Sequence, residues 1–130
     1  MSSDAINAEN ADKLRIVVIY RADLPEMTPG KAEIQYGHAT ASVLYKAMLR
    51  DPERVARYMA ENQVKVSLEV ATLDDLLKIE KKANARGVVN ELITDAAFTV
   101  FKEPTTTCIG LGPMSKTDSN ALTRGATKRP

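Results

Sequence analysis

Lys31, Gln35 and His38 follow one another at spacings of four and three in the stretch TPGKAEIQYGH. A helix through them carries a cation, an amide and the chain's single histidine along one line, which Ser42 extends. A lysine in the first turn has the positive end of the helix beside it, and the two together favour an anionic substrate group. Far along the chain Asp95 closes an apolar segment, and Thr99 follows it. A lysine, a carboxylate and a hydroxyl brought together can hold an anion and orient water. The same residues also fit a plainer account, with a polar helix flank beside a core and a turn-forming Asp95 at a strand end.

Which account holds depends on the elements that position these side chains. Thr28 is a good N-cap and Pro29 a good first helical residue, since its missing N–H has no intrahelical partner to lose. The helix they open runs to about Arg50, with Ile34, Gly37, Ala41, Leu44 and Met48 expected as its core-facing stripe. Asp51 and Pro52 repeat the arrangement for a short second helix. A third starts at Thr72, with Asp75 in the capping-box position, and stops at Gly87; Leu73, Leu76, Leu77 and Ala83 make its apolar face. Four strands are expected, over 14–20, 64–70, 88–94 and 106–112. The first is nearly all apolar, as befits a strand covered on both faces, and the second alternates. This order describes an α/β layer sandwich. If the first and third strands are parallel, Lys31 and Asp95 meet at one sheet edge, where α/β proteins place their sites.

A chain of 130 residues fits one domain, placed at 13–114. Residues 1–12 and 115–130 are polar and read as tails, so deleting residues beyond Ser115 is expected to leave thermal stability nearly unchanged. No apolar run approaches the roughly 20 residues of a membrane span, so no membrane partner is expected. The N-terminus lacks the basic start and apolar middle of a secretory signal, and the lone Cys108 forms no internal disulfide, which together predict a cytoplasmic protein. The net charge of +1 means that any nucleic acid must be held by a local patch. Lys78, Lys81, Lys82 and Arg86 could offer one, although Asp74 and Glu80 accompany them and a solvated face explains them better. One histidine and one cysteine at no paired spacing argue against a metal site. The stretch GLGPMSKT imitates a phosphate loop but has Ser115 in place of the last glycine.

Taken in order and spacing, IVVIYRADL, TPGKAEIQYGHATASVLYKA, NQVKVSLEV, VNELITDA and CIGLGP resemble the type II peptidyl-tRNA hydrolase family over about Leu14 to Pro113. The resemblance implies a three-layer α/β sandwich, a mixed four-stranded sheet with helices on both faces. It implies hydrolysis of the ester joining a peptide to the 3′ ribose of tRNA, with peptidyl-tRNA as partner and neither metal nor other cofactor. A homodimer is the expected assembly. Lys31, Asp95 and Thr99 carry over as catalytic residues, Gln35 and His38 as substrate-binding ones. After Asp-Ala the family usually shows Gly, a basic residue, Thr and Gln, where this chain has Ala97, Phe98, Thr99 and Val100.

Ester hydrolysis needs an attacking water, a group to orient or deprotonate it, and positive charge where the oxyanion forms. Asp95 fits the orienting of water, Lys31 the stabilisation of the oxyanion or of a tRNA phosphate, and Thr99 the placement of water or ester; His38, about two turns deeper, fits a supporting hydrogen bond. Alanine at Lys31 or Asp95 is expected to change stability little, neither being assigned to the apolar core. The alternative is a non-catalytic or differently employed relative, an RNA-binding or protein-binding module, and Phe98 and Val100 are the features that favour it.

Overall fold

The computed structural model describes residues 13–97 and 101–130. Strands β1 (Arg15–Arg21), β2 (Val64–Val70), β3 (Asn90–Asp95), β4 (Thr105–Met114) and β5 (Thr127–Lys128) form one mixed sheet in the order β3-β4-β1-β2-β5. β1 and β2 are parallel, and β4 lies antiparallel between β1 and β3, so β1 and β3 run the same way with one strand between them. The sheet thus has five strands where four were expected. The fifth is a two-residue edge piece that pairs Leu68 with Lys128 and Glu69 with Thr127.

Among the described residues four helices cover the faces: α1 (Pro29–Arg50), α2 (Pro52–Ala60), α3 (Leu73–Ala85) and α4 (Lys116–Leu122). The first three open on the expected caps. Thr28 Oγ1 accepts the Lys31 N–H at 3.2 Å, Asp51 accepts that of Arg54 at 3.1 Å, and Thr72 and Asp75 make a reciprocal capping box. β1 alternates between two cores. Val17 and Ile19 pack with Leu76, Ile79, Ala83 and Leu122 on the α3–α4 side; Ile16, Val18 and Tyr20 pack with Ala39, Val43 and Tyr58 on the α1–α2 side.

Two expectations require correction. The buried stripe of α1 is Ala32, Gln35, Ala39, Val43 and Ala47, whereas Ile34 and Met48 are 56% and 48% exposed. The helix lies so close to the sheet that small residues fill the contact: a Cβ at Gly110 of β4 would stand 3.0 Å from the Ala39 carbonyl oxygen and 3.1 Å from Val43. Hydropathy ranks Ile and Met above Ala, but a close approach selects by size. On α3, likewise, Leu77 faces outward and Ile79 takes its place in the core.

The second correction concerns residues 115–130, expected as a tail. Ser115 caps α4 by accepting the Asp118 N–H, Leu122 is buried against the α3 side of the sheet, and β5 extends that sheet. A seven-residue helix with one buried leucine leaves almost no apolar periodicity to read. Residues 1–12, the other expected tail, lie outside the described residues.

Candidate active site

The sheet edge formed by the C-terminal ends of β1 and β3 receives the first turn of α1. Gln35, on the buried stripe, is wholly buried between helix and sheet, and Lys31 sits one turn earlier on nearly the same line. Asp95 ends β3 beneath them. Lys31 Nζ forms an ion pair with Asp95 Oδ2, the two side chains being 11% and 7% exposed. Gln35 Nε2 donates to the same oxygen at 3.2 Å, and the Ala97 N–H donates to Oδ1 at 2.9 Å. Burial alone would raise the Asp95 carboxyl, but the hydrogen bond from Lys31, the Ala97 amide and the Lys31 charge outweigh it and hold the group below the ordinary carboxylate range. The carboxylate is therefore ionised at neutral pH, and among the described residues it takes two donors on Oδ2 and the Ala97 amide on Oδ1.

Ala97 reaches Asp95 through a left-handed backbone, φ 68°. Glycine takes that conformation without cost, and an L side chain pays about 1 kcal/mol for it, which gives a physical reason for the glycine usual here in the family the sequence resembles.

One member of the network was missed in the sequence. Thr107 is fully buried, and its Oγ1 donates to Gln35 Oε1 at 2.7 Å. The Gln35 amide is thus fixed at both ends, its oxygen toward Thr107 and its nitrogen toward the carboxylate. Strict alternation along β4 would turn Thr107 to the α3 side with Ile109 and Leu111. A bulge prevents this: Ile93 pairs with Cys108 and Thr94 with Thr106, leaving Thr107 as the extra residue, and Thr107 joins Cys108 on the α1 side. Thr107→Val keeps the shape but leaves the Gln35 oxygen buried without a donor; a loss of about 1–3 kcal/mol in urea unfolding is expected, with Thr107→Ser close to wild type.

The remaining expected site residues fare differently. His38 is exposed and lines an open groove with Ala41, Ser42 and Glu91–Thr94 along the outer edge of β3, away from the ion pair. The supporting hydrogen bond expected of it is not among those the described residues make. Thr99, with Phe98 and Val100, lies outside the described residues. Cys108 is buried, and burial pushes its thiol up to about 12, so it is a packed side chain and not a nucleophile. Among the described residues no three His, Cys, Asp or Glu side chains cluster as metal ligands, and no helix is long and apolar enough to cross a membrane.

The family model described as "Peptidyl-tRNA hydrolase PTH2" matches residues 14–126, nearly the whole chain. The chain belongs to this family. Its relatives include a peptidyl-tRNA hydrolase of Thermoplasma volcanium, 39% identical over 77% of this chain and 85% of the relative. That of Metallosphaera sedula is 35% identical over 77% and 86%, and that of Thermococcus sibiricus 31% identical over 85% and 93%. The family match runs to residue 126 and so takes in α4.

Proposed function

We propose that the chain hydrolyses the ester between peptide and tRNA in peptidyl-tRNA, with Lys31 and Asp95 as the catalytic pair. The observation that carries this reading is the Lys31–Asp95–Gln35 cluster at the sheet edge, assembled from α1 and β3 in a chain of this family. Asp95, ionised and held below the ordinary carboxylate range, is a weak base and a good orienting acceptor: a water that donates to Oδ1 beside the Ala97 amide is aligned for attack. Lys31, already beside the positive end of α1, balances the negative charge that grows on the carbonyl oxygen or meets the phosphate next to it. Gln35 positions the carboxylate, and Thr107 positions Gln35. Thr99 retains its proposed part in placing water or ester, and His38, in its groove, contacts substrate only outside the ion pair. The non-catalytic alternative is not favoured by the relatives, which are named hydrolases. The site of action proposed is the cytoplasm, where peptidyl-tRNA is released.

The experiment is to mix the purified protein with a peptidyl-tRNA in the presence of chelator and follow free peptide. Release is expected; none, under conditions where another member of the family is active, defeats the reading. The assembly proposed is a homodimer through the outward side of α1, where Ile34, Tyr45, Met48 and Leu49 are 48–71% exposed along one helix. Sedimentation equilibrium should return twice the chain mass, and Tyr45→Glu together with Leu49→Glu should halve it; a monomer at all concentrations would remove the proposal.

A further inference from the structure

We propose that the outer side of α3 and the segment after α4 form a second contact surface, one that grips the phosphodiester backbone of the tRNA away from the ester. Lys78, Lys82 and Arg86 are spaced by four residues, so they form one line with about 6 Å between successive positions. Lys81 flanks the line. The C-terminal segment adds Arg124, which with Lys82, Arg86, Ala85, Ala121 and Leu122 lines a shallow cavity of about 330 Å³.

Of the acids that accompany them in sequence, Asp74 lies one turn before Lys78 on the same line, at the first turn of α3, and the others are bound or turned elsewhere. Asp75 is bound in the capping box at the far end of α3. Glu80, two residues from Lys82 and so on the opposite side of the helix, lines a different cavity with Lys46 and Asn90. Asp118 is taken by Arg86, whose guanidinium lies 3.0 Å from it. Among the described residues the side chains of Lys78, Lys81, Lys82 and Arg124 make no hydrogen bond or ion pair, and no carboxylate lines the cavity. The neighbouring cavity that holds Arg50 and Arg54 differs in this respect, because Asp51 and Asp118 line it too.

Position supports the same partner. Val70, at the end of β2, pairs with Arg21, at the end of β1, so α3 begins at the sheet edge that carries Lys31 and Asp95 and leads away from it. Lys82 stands about 14 Å along the helix from Leu73. A polyanion whose 3′ end occupies the Lys31–Asp95 edge can lay its backbone along this line, with Lys78, Lys82 and Arg124, whose side chains make no ion pair among the described residues, placed to meet its phosphates. With a net charge of only +1 the whole protein offers no diffuse attraction, so the patch must supply it.

The inference rests on the hydrolase reading, and the test separates the two. Binding of deacylated tRNA is measured against salt for wild type, for Lys82→Glu with Arg124→Glu, and for Lys82→Gln with Arg124→Gln; hydrolysis is measured on peptidyl-tRNA and on an N-acylaminoacyl ester of adenosine, which has no stem. Arg86 is kept, because it holds Asp118, and circular dichroism checks that the variants fold. The charge-reversed protein should bind tRNA about tenfold or more weaker, with a salt slope smaller by about 1 for each phosphate no longer neutralised. Its KM for peptidyl-tRNA should rise with kcat unchanged, and the adenosine ester should be cleaved as by wild type. The neutral variant should fall between the two. Wild-type tRNA affinity and salt slope in both variants, or weakened binding only on substituting Lys46 and Arg50, would overturn the surface. Wild type that binds tRNA through the patch but cleaves neither ester would defeat the hydrolase reading alone.

Discussion

Alanine at Asp95 or Lys31 is expected to lower turnover of peptidyl-tRNA by at least about a hundredfold, the scale of one positioned electrostatic or acid–base group. Stability should fall as well, in contrast to the sequence-based expectation. The two side chains form an ion pair that is largely buried, so removing one partner leaves a charge without its counter-ion and costs roughly 3 kcal/mol. Activity lost in a single variant could then reflect a damaged fold. The double variant Lys31→Met, Asp95→Asn resolves this, because it removes both charges while keeping approximate shape. It should regain most of the stability and none of the turnover, measured by urea unfolding and by initial rates of peptide release. A double variant that hydrolyses at the wild-type rate would rule out the pair as catalytic. Acid adds a further readout. The Asp95 carboxyl is depressed in the folded protein, so its share of stability is present above the ordinary carboxylate range and is lost only as the pH falls through the lower folded value. Asp95→Asn should lack that acid limb.

Truncation after Ser115 should lower the melting temperature by at least roughly 10 °C, or prevent folding. Leu122 is 2% exposed and packs with Leu76, Ala83 and Met114; Leu122→Ala alone should cost about 2–4 kcal/mol through lost transfer energy and the cavity left behind. Truncation also removes the Arg86–Asp118 pair and the β5 pairing that covers part of the β2 edge. Arg129 goes too, and its guanidinium lies 4.1 Å from the centre of the Tyr20 ring. An unchanged melting curve for the truncated protein would show that these interactions contribute nothing. The same truncation removes Arg124, so the tRNA-binding surface must be tested by substitution in the full chain.

Sequence alone determined the features that depend on neighbours along the chain. The Thr28–Pro29, Asp51–Pro52 and Thr72–Asp75 signals set the starts of three helices because a cap acts within one turn. The apolar run of β1 determined a central strand, and the α/β order brought Lys31 and Asp95 to one edge. Tertiary structure decided what depends on distance and on a shift in register. Which side of α1 is buried follows from the close approach of Ala39 to Gly110, a contact selected by size and not by hydropathy. Residues 115–130 fold because Leu122 finds a core built by α3 and the sheet, although seven helical residues alone are too few to sustain a helix. Thr107 reaches Gln35 only because one extra residue in β4 turns its side chain to the other face, and nothing in a strand's own alternation announces where its partner strand will slip.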